Sequence, residues 1–86
     1  MLKKEITISN FHDFYENPFA ELVQSACSFD SNIYLTYKNQ NVNAKSIMGI
    51  LAFQANAGDS VIITADGADA EASVTAIENF LTCQRP

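Results

Sequence analysis

Basic residues are scarce in this chain of 86 residues: five Lys and Arg stand against ten Asp and Glu, a formal net charge of −5 at pH 7. A surface of that sign repels phosphate backbones and anionic lipid, so neither nucleic acid nor a membrane is expected as the direct partner. A basic protein surface suits it better. No apolar run approaches the ~20 residues that span a bilayer, and Met1-Leu2-Lys3-Lys4-Glu5 opens without the apolar segment of a secretion signal. A cytoplasmic protein is expected. The two cysteines, Cys27 and Cys83, lie far apart without metal-ligand spacing, and reduced thiols fit that compartment. The single histidine, His12, rules out a two-histidine metal motif. There is no glycine-rich phosphate loop and no serine, histidine and carboxylate set in a recognisable context. No metal and no cofactor are expected, and the chain is not expected to be an enzyme.

What remains is an ordinary folding composition, 48% hydrophobic and 17% charged. That balance excludes a disordered chain, and the length allows one domain over residues 1–86 with a single modest core. Lys4-Glu5-Ile6-Thr7-Ile8 alternates with period two and predicts a strand with Ile6 and Ile8 inward. Phe11 to Asn17 has no clear period and reads as a loop. Asn17-Pro18 places a cap before a proline at the first helical position. Phe19, Leu22, Val23, Ala26 and Cys27 then mark the buried face of a helix ending near Phe29, with Cys27 as a core residue.

After a turn at Asp30-Ser31, Asn32 to Tyr37 predicts a strand, Lys38-Asn39-Gln40 a polar hairpin turn, and Asn41-Val42-Asn43 its return. A short helix follows from Ser46 to about Phe53, broken by Asn56-Ala57-Gly58-Asp59. Val61 to Ala65 is the last strand. Asp69 is placed to cap a closing helix with Val74, Ile77 and Leu81 as its stripe and Glu71 and Glu78 on its solvated face. The order βαββαβα predicts an α+β open-faced β-sandwich, helices on one face of an antiparallel sheet. Repeats and linkers are absent.

The densest chemistry lies in Asn43-Ala44-Lys45-Ser46-Ile47-Met48-Gly49-Ile50-Leu51. Ser46 stands where its side-chain oxygen can satisfy an unpaired amide of the following helical turn. Most serines in that position are caps and nothing more. A phosphate on Ser46 would add about −1.5 to −2 charge and three acceptor oxygens beside Lys45. The apolar residues beyond it, Ile47, Met48, Ile50, Leu51 and Phe53, cannot all face the core.

This segment resembles the region around the regulatory serine of the histidine-containing phosphocarrier protein family, HPr, of the bacterial sugar phosphotransferase system. The likeness extends through Pro18-Phe19-Ala20-Glu21-Leu22-Val23-Gln24, Phe29-Asp30-Ser31-Asn32-Ile33 and Asp66-Gly67-Ala68-Asp69-Ala70-Glu71-Ala72. It implies four antiparallel strands with three helices packed on one side. It breaks just before Pro18, where the family carries Gly-Leu-His-x-Arg-Pro and its histidine accepts the phosphoryl group from enzyme I. Here Tyr15 occupies the histidine position and Asn17 that of the arginine. A phenol with pKa about 10 is almost wholly protonated at pH 7, and no guanidinium is left to grip a phosphate.

The resemblance therefore implies a non-catalytic regulatory protein, like the catabolite repression paralogues of HPr that lack the active histidine and keep the serine. Ser46 would be the phosphoacceptor for HPr kinase/phosphorylase. Lys45, Ile47, Met48 and Leu51 would form the surface for a transcriptional regulator of the catabolite control protein A type. Two alternatives stay open: a carrier that serves enzyme I through His12 as a displaced acceptor, and an interaction module that keeps the fold without either role. A lone histidine among Phe11, Asp13 and Phe14 is more often an ordinary loop side chain.

Overall fold

The computed structural model describes residues 1–9, 18–51 and 57–82. The strands are β1 (Leu2–Thr7), β2 (Asn32–Tyr37), β3 (Gln40–Asn43) and β4 (Ser60–Asp66). The helices are α1 (Pro18–Cys27), α2 (Ile47–Leu51) and α3 (Ala70–Leu81). The four strands form one antiparallel sheet in the order β1-β4-β2-β3. The first and last strands thus pair, Ile6 opposite Val61 and Lys4 opposite Ile63, and β4 continues to β2 with Leu35 opposite Ile63.

Alternation decides which face is covered, because successive side chains of a strand point to opposite sides. Ile6, Ile33, Leu35, Val61, Ile63 and Ala65 are buried on the helical side. Tyr34 on the other side stays exposed. Leu22 and Ala26 of α1, Ile50 of α2, and Val74, Ile77, Phe80 and Leu81 of α3 complete the core. The architecture is the expected open-faced sandwich, with three helices among the described residues over one side of a four-stranded sheet.

The predicted first strand begins two residues earlier than expected and ends at Thr7. Ile8 is still buried, its amide donating to Asp59 O at 3.0 Å while its carbonyl accepts from Gly58 N at 2.9 Å. The β2–β3 turn is tighter than predicted, since Gln40 already belongs to β3. Lys38 and Asn39 both take positive φ, 48° and 65°, the twist that a two-residue hairpin loop demands.

Several expectations are corrected. Cys27 is exposed rather than in the core. It lies about 100° around the helix from the buried Ala26, past the flank marked by half-buried Val23, and α1 ends there instead of near Phe29. Asp69 does occupy the residue ahead of α3, but its side chain makes no capping hydrogen bond. The carboxylate turns across to the α1–β2 turn, accepting from Asp30 N and Ser31 N at 2.9 Å each and from the Ser31 hydroxyl. Glu78, expected on a solvated face, pairs with Lys4 Nζ at 2.8 Å and ties α3 to the edge strand β1. The predicted loop from Phe11 to Asn17, the break at Asn56, Phe53 and Cys83 lie outside the described residues.

Candidate functional site

The site is built where the chain leaves β3. Asn43 bends it: its side-chain Oδ1 accepts from Lys45 N at 2.9 Å and its carbonyl from Ser46 N at 3.0 Å. Ala44, fully buried, donates its amide to Ile33 O at 2.9 Å and pins the bend to the sheet. Ser46 is then the residue ahead of α2. Its carbonyl receives the first helical bond from Ile50 N at 2.9 Å, and its Oγ accepts from Gly49 N at 3.3 Å, the N3 amide that a serine cap serves.

Ala44 and Ile50 are the two residues of this segment driven fully into the core, and they fix the rotation of α2. The apolar neighbours are left outside: Ile47 is 44% exposed, Met48 76% and Leu51 54%. Ile47 and Leu51 meet the start of α1 across a shallow cleft of about 240 Å³, lined also by Pro18, Phe19 and Ala20. Apolar side chains exposed together on one short helix form a surface that water covers poorly.

Lys45 lies beside Ser46 in sequence, but its ammonium is engaged elsewhere. Nζ donates to Phe29 O at 2.6 Å, just past the end of α1, while the Lys45 carbonyl accepts a weak bond from Cys27 Sγ at 3.8 Å. Sequence reasoning missed this link between α1 and the approach to α2. A signal for it existed: α1 has no basic residue in its last turn, leaving its carbonyl end without a cation of its own.

The structure therefore brings Ile47 and Leu51 to one rim with Pro18–Ala20, with Ser46 directly ahead of Ile47 in the chain, Met48 exposed after it and Lys45 turned toward α1. His12, Tyr15 and Asn17 lie outside the described residues. Among the described residues no three His, Cys, Asp or Glu side chains gather as a metal site, and no helix is long and apolar enough to cross a membrane.

Asp69 shows a clear electrostatic perturbation near this corner. The Ser31 hydroxyl first, then the Asp30 amide, holds its carboxyl below the usual carboxylate range, against a smaller opposing effect of burial. Asp30 and Ser31, which Asp69 holds, directly follow Phe29, so Lys45 and Asp69 grip adjoining parts of one loop.

Comparison with known proteins agrees with this fold. Residues 2–82 match the family model described as the PTS HPr component phosphorylation site. The phosphocarrier protein HPr of Treponema pallidum is 38% identical over 80 residues, covering 93% of this chain and 91% of that protein. A crystal structure of HPr-C-His from Thermoanaerobacter tengcongensis superimposes with a TM-score of 0.86 at 34% identity, over 98% of this chain and 94% of that one. Crh, the catabolite repression protein of Bacillus subtilis, crystallised as a swapped dimer, gives a TM-score of 0.77 at 26% identity, over 94% and 88%. With the fold and nearly the whole length matched, the chain belongs to the HPr family of the phosphotransferase system.

Proposed function

We propose that this chain is a non-catalytic, regulatory member of its family, switched by phosphorylation of Ser46. The observation that carries the reading is the placement of the Ser46 hydroxyl at the start of α2, with Ile47, Met48 and Leu51 exposed immediately beyond it. A kinase of the HPr kinase/phosphorylase type transfers the γ-phosphoryl group of ATP to Ser46 Oγ. The bond to ADP breaks, and the hydroxyl proton leaves with the base that accepts it. The new dianion stands beside an apolar surface, a combination that changes which protein that surface accepts while leaving the fold intact. A transcriptional regulator of the catabolite control protein A type is the partner, docking on Lys45, Ile47, Met48 and Leu51 in the cytoplasm. The likeness to Crh supports this reading.

Tyr15 and Asn17 weigh against a carrier role, because a protonated phenol is a poor nucleophile and an amide cannot replace a guanidinium. The relatives that bear the name phosphocarrier make the carrier reading the necessary control.

Intact mass after two incubations tests the proposal, one with HPr kinase and ATP, the other with enzyme I and phosphoenolpyruvate, each followed by brief acid. A single acid-stable phosphate from the kinase alone, lost in Ser46→Ala, is the expected result. An acid-labile phosphate from phosphoenolpyruvate, lost in His12→Ala, would replace this reading with the carrier one. Phosphate in neither tube would leave the interaction module.

A further inference from the structure

We infer that Lys45 is a two-position latch: its ammonium holds the Phe29 carbonyl while Ser46 is unmodified, and a phosphate on Ser46 draws it away. The charge on Ser46 then sets how firmly the carboxy-terminal end of α1 is held. The inference rests on the reading that Ser46 accepts a phosphate.

The backbone bonds that close α1 are long, and one side-chain bond, from the Ser28 hydroxyl to Ser25 O at 2.6 Å, supports them locally. The helix has no cation in its last turn, and the bonds that follow it, Ser28 N to Ser25 O and Phe29 N to Ala26 O, are both long at 3.3 Å. Against these, the contact from Lys45 Nζ to Phe29 O is short, 2.6 Å, and partly buried. It supplies from a neighbouring element the positive charge that the helix end favours. The thiol of Cys27 adds a second, weaker tie to the backbone of the same lysine.

The acceptor that Lys45 now serves is neutral. A phosphate on the adjacent residue would be a dianion, which adds the attraction of opposite charges to the charge-assisted hydrogen bond that the ammonium already makes to a carbonyl. The exchange is one of non-covalent partners only: one ammonium leaves a carbonyl for a phosphate oxygen, and no proton moves. Its consequence is felt at Ser28 and Phe29, the last residues before the amides that Asp69 holds at Asp30 and Ser31. Modification at the start of α2 is thereby transmitted to the far end of α1, whose beginning lines the apolar cleft.

The test is nuclear magnetic resonance on four whole-length proteins: wild type and Lys45→Met, each with serine or genetically encoded phosphoserine at position 46. The readouts are the Phe29 carbonyl carbon shift and amide hydrogen exchange at Ser28 and Phe29. Phosphoserine in the wild type is expected to move the Phe29 carbonyl resonance toward its value in Lys45→Met and to speed exchange at both amides several-fold. In Lys45→Met the phosphate is expected to add nothing further. An unchanged Phe29 carbonyl and unchanged exchange in the wild-type phosphoserine protein would overturn the latch. Encoded phosphoserine needs no kinase, so failure of enzymatic phosphorylation would count against the regulatory reading and leave the latch to be decided on its own data. If Lys45→Met does not fold, the wild-type pair alone decides.

Discussion

Asp69 and Ser31 are joined by two hydrogen bonds, one from the Ser31 amide at 2.9 Å and one from its hydroxyl, although 38 residues separate them. With the Asp30 amide as a third donor, one carboxylate fastens the start of α3 to the turn between α1 and β2.

That clasp makes stability depend on acid. Because the folded Asp69 carboxyl is held below its ordinary value of 3.8, its contribution is fully present above that value and is lost as pH falls through the lower folded one. The melting temperature of the wild type is expected to drop on acidification below about pH 4. Asp69→Asn should be less stable at pH 7 and show a shallower drop over the same acid range. Thermal denaturation followed by circular dichroism across pH 2–7 reads both, and parallel curves for the two proteins would remove Asp69 as the cause.

Gly67 is the residue that lets the clasp close. It takes φ of +154°, and a Cβ there would stand 2.7 Å from Ser31 Cα and 2.9 Å from Ser31 Cβ. Backbone and side chain cannot both give way without opening the bond to Asp69. Gly67→Ala is expected to cost about 1–3 kcal/mol, read as a lower urea midpoint at unchanged slope.

Ile50 and Leu51 are adjacent in sequence and opposite in consequence. Ile50 is fully buried, so Ile50→Ala should destabilise by about 2–5 kcal/mol. Leu51 is 54% exposed and Met48 76%, so Leu51→Glu and Met48→Glu should leave stability within roughly 0.5 kcal/mol. On the proposed function both Glu variants weaken regulator binding at least ~10-fold, about 1.4 kcal/mol. Calorimetric titration of the phosphorylated protein measures it.

Ser46→Ala should show two separable losses. Removing the cap costs about 0.5–1 kcal/mol, toward the low end because the bond to Gly49 N is long at 3.3 Å. The acid-stable phosphate should vanish altogether. A Thr in its place keeps an acceptor for the Gly49 amide, so Ser46→Thr is expected to recover most of the stability.

Tyr37 and Asp59 give a further check on how the loop before β4 is held. The Tyr37 hydroxyl donates to Asp59 Oδ2 at 2.7 Å, and the same Asp59 receives Ile8 N on its carbonyl. Tyr37→Phe is expected to lower stability by about 0.5–1.5 kcal/mol and to raise amide exchange at Ile8 more than at Ile33.

Much of this fold could be read from periodicity. Ile6, Ile33 and Leu35, Val61 and Ile63 alternate, and Leu22 with Ala26, or Val74 with Ile77 and Leu81, recur at helical spacing. Burial follows those patterns because each element covers one face. The sequence was silent where a side chain chooses between a local and a distant partner. Asp69 could cap its own helix, and only the proximity of Asp30 and Ser31 decides otherwise. Lys45 could face Ser46, and only the bare carbonyl end of α1 explains why its ammonium lies on Phe29. Cys27 shows the limit of spacing itself, since a residue on the flank of an apolar stripe is settled by where the neighbouring element ends. Of the candidate site, the apolar residues after Ser46 were legible as too many for the core, and among the described ones Ile50 is taken inward while Ile47, Met48 and Leu51 stay exposed.

The sheet order carries a consequence for biosynthesis. Of the four described strands β1 is made before the others, yet among the described residues its ladder runs to Ser60–Asp66 alone. The β2–β3 hairpin can close as soon as its two-residue turn emerges, whereas Leu2–Thr7 waits for three quarters of the chain. Folding of the nascent protein is therefore gated by the appearance of β4, and a synthesis pause placed before residue 60 would hold the amino-terminal strand unpaired within reach of chaperones.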